Sequence, residues 1–322
     1  MKITNNHRII SLYSTVFIII SLTTIYLPVW LHEIVGLEIK DIGVLFGLIG
    51  VLKVFSSTLI TKNIRTFSNY KTTSSYITLL VSLIYLFIIF LLGKQHQSLI
   101  IALIFLSLII FSPILPMAES ISLKLNSDFI NTYGKLRISG SVAFFLSAII
   151  LGYLIDGLGS QVLPFLMIAF FWLFLNSIYL LPNEKDKYYI YKKGNILQLL
   201  NNKKFIIVLL CCGLIQGSHA MYYSFSSILW RDNGISFSHI GYLWGWGVLA
   251  EIILFYFIDK VNVKGLFIKV LIFAGIISSC RWVLTYFFNQ FYFLLFIQTL
   301  HAISFGLAHY LMMYFIFFNI ES

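Results

Sequence analysis

Ten apolar runs constrain this chain more than anything else in it. They cover roughly residues 9–31, 40–61, 74–93, 98–123, 133–155, 162–182, 205–230, 237–258, 265–287 and 291–318. Each is long enough to cross a bilayer, which takes about 20 mostly apolar residues. A backbone in hydrocarbon must satisfy its own hydrogen bonds, so such runs become helices. Composition agrees. The chain is 59% hydrophobic and only 11% charged, against about 25% charged in soluble domains. The fold class is therefore an all-α polytopic membrane protein. The first run follows Lys2 and Arg8, as a signal peptide would, but it is too long and no small-residue cleavage site ends it. It reads as a retained helix.

The net charge of +10 would point to nucleic acid in a soluble chain. Here the placement matters more, and no nucleic-acid partner is expected. Of the 22 Lys and Arg, sixteen fall in segments on the N-terminal side of the membrane, and Lys40, Lys94 and Arg231 fall on the other. Lys53, Arg137 and Arg281 lie within the runs. The positive-inside rule then places the N-terminus in the cytoplasm. Ten crossings return the C-terminus there. One connection is long, polar and Lys-rich, NEKDKYYIYKKGNILQLLNNKK at 183–204. It divides a six-helix bundle (1–182) from a four-helix bundle (205–322). Its lysines suit anionic membrane lipid as well as plain positive-inside charge.

A repeat underlies this division. At an offset of 198 residues, Gly36 meets Gly234, Ile42-Gly43 meets Ile240-Gly241, Leu45 meets Leu243 and Gly47 meets Gly245. The same offset sets Lys53 against Glu251. It carries helices 1–2 onto 7–8 in the same membrane orientation. Parallel six-helix repeats are the architecture of major facilitator transporters, whereas inverted five-helix halves would reverse the orientation.

Ionisable side chains at membrane depth usually serve a pathway or a pair. Counted from the helix ends, Lys53, Glu251 and His301 lie near mid-membrane, His219 near the middle of helix 7, and Arg281 in the outer half of helix 9. Glu119 and Arg137 share a level on adjacent helices. They read either as a static interfacial pair or as a shared ligand site. Glu251, Arg281 and His301 are candidates for one proton-carrying cluster. Lys53 needs a counter-charge or a watery cavity, and Glu251 is a candidate for the former. His219, Tyr222 and Tyr223 fall on one face of a helix turn, suited to stacking on a solute. Pro113 and Pro116 interrupt helix 4. Cys211, Cys212 and Cys280 read as small buried hydrophobes, with no metal or disulfide spacing. No nucleotide, metalloprotease or serine-hydrolase motif is present, and neither an enzyme nor a cofactor is expected.

The stretches YLPVWLHEIVGLEIKDIG, Glu119…YGKLRISGS, SHAMYYSFSSIL…GVLAEIILF and QTLHAISFGLAHYLMMYFI resemble the major facilitator superfamily, in its lactose permease and phenylpropionate permease branch. That resemblance implies a transporter of the bacterial inner membrane that moves a small organic solute by rocking its two halves. The substrate would be an aromatic acid such as 3-phenylpropionate, or a sugar or nucleoside, with proton symport as the coupling, and the protein a monomer. It further implies solute binding by Glu119 and Arg137 and stacking by Phe144. Lys53, His219 and Tyr222 join this set on the residue reading above. Glu251, Arg281 and His301 match the family's proton-coupling Glu, Arg and His.

Departures are visible. A Lys one turn before the His and a Glu three residues after it are here Gln298 and Ser304. The acidic residues of helix 7 are replaced around Ser218-His219. The family has twelve helices, and this chain stops after ten, which predicts an incomplete, truncated C-terminal bundle. Two alternatives follow: a non-transporting remnant, and, less favoured by the repeat, a ten-helix drug/metabolite-type carrier.

Overall fold

The computed structural model describes residues 5–61, 64, 66–94, 96–125, 134–181, 201–258 and 263–319. Ten helices in it are long and apolar enough to cross a membrane: α1 (Asn6–Glu33), α2 (Ile39–Thr61), α3 (Ser68–Leu91), α4 (Gln97–Glu119), α5 (Ile138–Leu158), α6 (Ser160–Leu180), α7 (Lys203–Asp232), α8 (Phe237–Phe257), α9 (Gly265–Phe287) and α10 (Phe291–Ile316). There is no strand among the described residues. Two compact units form, Met1–Ile190 with Ser236–Ser238, and Tyr191–Ile235 with His239–Ser322. Nearly all of the Lys-rich linker lies outside the described residues.

Helix ends explain the repeated glycines. Gly36, Gly93, Gly159 and Gly234 follow α1, α3, α5 and α7, and each has a positive φ of 76–83°. Residues with a Cβ avoid this left-handed region, so glycine ends the helix and turns the chain. The Gly36/Gly234 match is thus a match of backbone conformation.

In the first unit, α1 packs against α5 and α6, and α3 against α6 and α4. Small and hydroxylated residues allow the helices to approach, as in other membrane bundles. A Cβ at Gly140 would lie 2.6 Å from the Phe17 ring. Ser21 and Ser147 hydroxyls meet at 2.8 Å between α1 and α5, and the Tyr26 hydroxyl donates to the Ala148 carbonyl. Thr15 and Ser177 meet at 3.2 Å between α1 and α6.

Proline interrupts α4, where regular helix stops at Phe111 and resumes at Ile114. Pro113 has no N–H to give the Ile109 carbonyl four residues back. That carbonyl accepts instead from Ser112 Oγ at 2.8 Å and from Ser56 Oγ of α2 at 3.0 Å. A neighbouring helix thus satisfies the acceptor that proline orphaned.

The cysteines need one correction. Cys212 is buried and Cys211 half-buried, but Cys280 is exposed. Its apolar neighbours in sequence reflect an outward, lipid-type face.

The Gly140 contact yields a test. Overpacking costs about 1–3 kcal/mol, more than the roughly 1 kcal/mol that alanine gains over glycine in a helix. Gly140→Ala should therefore lower the detergent-solubilised melting temperature, and adding Phe17→Leu should restore part of the loss.

Candidate functional site

Two helices of the second unit lose regularity where polar side chains collect. In α7 the regular helix stops at Gly217 and restarts at Ala220. The Ile215 carbonyl at this break accepts from Ser218 Oγ at 2.7 Å and faces His219 Nδ1 at 3.0 Å. In α10 the α-helix ends at Thr299, and Ala302–Leu307 forms a π turn. Such turns add a residue to the helix and recur at functional sites.

Arg281 of α9 sits between these interruptions, with its side chain fully buried. Its Nη1 lies 3.1 Å from His219 Nε2, 3.1 Å from His301 Nδ1 and 3.1 Å from Ser304 Oγ. Its Nη2 donates to Gln298 Oε1 at 2.9 Å. Gln298 Oε1 also accepts from the Tyr222 hydroxyl at 3.0 Å. The guanidinium carbon lies 4.7 Å from the Tyr222 ring centroid and 4.6 Å from that of Trp282. Desolvated cation–π contacts of this kind contribute about 2 kcal/mol.

The network assigns the histidine tautomers. A guanidinium only donates, so each ring nitrogen facing it carries a lone pair. His219 is then protonated on Nδ1 and donates to Ile215. His301 is protonated on Nε2, and this nitrogen lies 3.9 Å from Glu251 Oε2. That distance is within ion-pair reach but too long for a hydrogen bond. Carboxylate, imidazole and guanidinium therefore follow one another across α8, α10 and α9. Small residues allow the approach. A Cβ at Gly306 would lie 2.9 Å from Glu251 Cγ, and one at Gly247 would lie 3.3 Å from His301 Cβ.

Aromatic rings enclose the polar centre. Tyr222 and Trp244 have centroids 4.4 Å apart. Phe305 stacks on His301 at 5.0 Å and 10°, and Trp282 meets His219 edge-on at 4.9 Å. The Trp244 and Trp282 indoles donate to Ser227 and Ser218, each at 2.9 Å.

Of the residues singled out from the sequence, His219, Tyr222, Glu251, Arg281 and His301 come together here. The first two were read as solute-binding and the last three as proton-coupling, yet they form one connected group. Glu251 faces His301, whereas Lys53 belongs to the other unit, exposed on α2. Phe144 is buried in α5, and Glu119 is half-buried at the end of α4. The side chain of Arg137, and hence any pairing with Glu119, lies outside the described residues. Gln298 and Ser304 entered the sequence reading only as replacements. Their signal was a polar residue at every third position, 298, 301 and 304, on a mostly apolar helix.

Ionisable groups that meet across four helices of a membrane bundle mark a protein that handles solutes or ions. The chain matches the MFS_1 like family over residues 8–318 and belongs to it. It is a multi-pass membrane transporter of the major facilitator type and not an enzyme. This membership sets aside the alternative of a drug/metabolite-type carrier with inverted halves.

Among curated relatives, the chain is 28% identical over 294 residues to the "Probable 3-phenylpropionic acid transporter" of Escherichia coli (strain K12). The match covers 88% of this chain and 76% of that protein. It is 25% identical over 178 residues to the "Uncharacterized transporter YwbF" of Bacillus subtilis (strain 168), covering 54% of this chain and 44% of that one. In fold it is similar to the nucleoside transporter NupG (D323A mutant), with a TM-score of 0.80 at 12% identity, over 98% of this chain and 84% of that chain. It is also similar to a bacterial homologue of the human lysosomal transporter Spinster, inward-facing and unoccupied. There the TM-score is 0.62 at 13% identity, over 95% of this chain and 74% of that chain.

Nitrogen NMR of selectively labelled histidine checks the tautomers. His219 should appear as the Nδ1–H form and His301 as the Nε2–H form. Arg281→Leu should abolish this fixed pair of states.

Proposed function

We propose that the chain is a proton-coupled symporter that imports a small organic solute across the bacterial inner membrane by alternating access. The solute class we favour is an aromatic acid such as 3-phenylpropionate, with a sugar or nucleoside as the alternative. The carrying observation is the succession of half-buried Glu251, buried His301 and buried Arg281. Glu251 takes and releases the proton. When Glu251 is charged, it draws the Nε2–H of His301. When it is neutral, that pull is gone and the imidazole is free to reorient. His301 Nδ1 touches Arg281, so the state of the carboxylate reaches the guanidinium through one ring. Proton relays of carboxylate and imidazole are a recurring use of membrane-embedded ionisable groups.

Solute contacts in this reading come from Glu119, Arg137, Phe144 and Lys53 in the first unit, and from His219 and Tyr222 in the second. The relative named for 3-phenylpropionic acid supports the aromatic-acid class, and the fold likeness to a nucleoside transporter supports the alternative. The Lys and Arg asymmetry supports cytoplasmic termini. The two halves, 1–182 and 205–322, act as the moving bodies, and the chain works as a monomer.

Right-side-out membrane vesicles provide the test. An inside-alkaline gradient should drive accumulation of labelled 3-phenylpropionate. Glu251→Gln should abolish gradient-driven accumulation while leaving solute counterflow. Accumulation indifferent to the gradient would remove the symport claim. Separately, Arg137→Lys and Glu119→Gln should each abolish solute binding without preventing membrane insertion. Normal binding by either variant would return that pair to a structural role.

A further inference from the structure

Among the described residues, no carboxylate pairs directly with the charge of Arg281. Every hydrogen-bonding partner of its guanidinium is neutral: two imidazole nitrogens, the Ser304 hydroxyl and the Gln298 amide oxygen. Among the described residues no carboxylate lies within ion-pair distance of it, and Glu251 faces His301 instead. A buried cation with only dipoles around it is expensive in a membrane bundle, and it calls for an anion.

Two donors beside it are also unused. Arg281 Nε and Gln298 Nε2 are both buried and have no hydrogen-bond partner. Arg281 is 0% and Gln298 1% exposed. A buried donor left unsatisfied costs about 1–3 kcal/mol. Gln298 cannot swing round to mend this. Its oxygen is pinned by two donors, Arg281 Nη2 and the Tyr222 hydroxyl. Its amide nitrogen therefore cannot take the place of the oxygen and keeps its N–H groups for another acceptor.

An acceptor that carries one negative charge would answer both defects. A carboxylate has two oxygens, matched to an N–H of arginine and an N–H of an amide. Charge-assisted bonds of this sort are about twice as strong as neutral ones. The surroundings state what the rest of the ligand must be. Tyr222, Trp244, Trp282 and Phe305 line the polar centre with rings. Among the described residues, Arg281 is the cation of this centre, which matches one anionic group.

We infer that Arg281 and Gln298 form the carboxylate-binding subsite for a substrate that is an aromatic monocarboxylate. Arg281 is then the substrate's counter-ion as well as a neighbour of His301. Gln298 is a specificity residue whose amide nitrogen reads the second carboxylate oxygen. This rests on the transport reading above but goes beyond it, because it names the group recognised and the atoms that recognise it. It also ties charge to coupling. A bound carboxylate sets a negative charge against the guanidinium that His301 Nδ1 faces, which offsets the repulsion between that cation and a protonated ring.

Isothermal calorimetry on the purified chain in nanodiscs tests this with two probes of one shape, 3-phenylpropionate and its neutral amide, 3-phenylpropanamide. The carboxylate should bind at least tenfold tighter. Gln298→Glu places an internal anion beside Arg281 and should weaken carboxylate binding at least tenfold, with a melting temperature no lower than that of the unmodified chain. Equal affinity for acid and amide in the unmodified chain would overturn the inference, and needs no variant to fold. So would undiminished carboxylate binding by a folded Gln298→Glu. Vesicle uptake separates the two readings. Uptake of uridine or lactose together with failure to bind the acid would sink the subsite and leave transport standing. Tight, Gln298-dependent binding of the acid without uptake would do the reverse.

Discussion

The second unit depends on keeping a guanidinium buried among membrane helices. Insertion scales put that cost at about 2.5–3.5 kcal/mol near the bilayer centre. Arg281 offsets it with four neutral acceptors and two ring faces, drawn from α7, α9 and α10. Three of these partners are themselves held: His219 by Ile215, Gln298 by Tyr222, Trp282 by Ser218. The network consequently joins three helices that have little hydrophobic reason to prefer one another in lipid.

The first unit meets the same backbone constraint by simpler means. Proline strips a donor from α4, and a serine on α2 supplies one to the Ile109 carbonyl. In α7 the carbonyl freed at the Gly217–His219 break is taken by its own Ser218 and His219. Irregular backbone occurs in both units where side-chain donors wait for it. In the second unit those donors are also groups that can hold charge or protons, and this distinguishes a site from a repaired kink.

Much of this was legible in the sequence, for identifiable reasons. Hydrocarbon tolerates few backbone solutions, so the spans could be read from composition alone. Gly36 and Gly234 could be matched because left-handed backbone needs glycine. Glu251, Arg281 and His301 drew notice because charge is rare among apolar neighbours. What escaped depends on azimuth, meaning the direction in which a residue points around its helix. Ser304 lies within the π turn of α10, where a 3.6-residue period no longer carries the direction of a side chain, and Gln298 gains its role only from the neighbours it meets on α7 and α9. Cys280 failed for a related reason. Lipid is as apolar as a protein core, so hydrophobic neighbours do not say which of the two a side chain meets.

The π turn at Ala302–Leu307 has one more consequence. A wide turn of this kind is a surplus residue parked in a helix. It can travel along the axis by exchanging one carbonyl partner for the next, and no hydrogen bond need stay broken for long. Each step would swing the residues it passes by about 100° around the axis, since a helix turns once every 3.6 residues. α10 thus holds a stored twist next to the ring that joins Glu251 to Arg281.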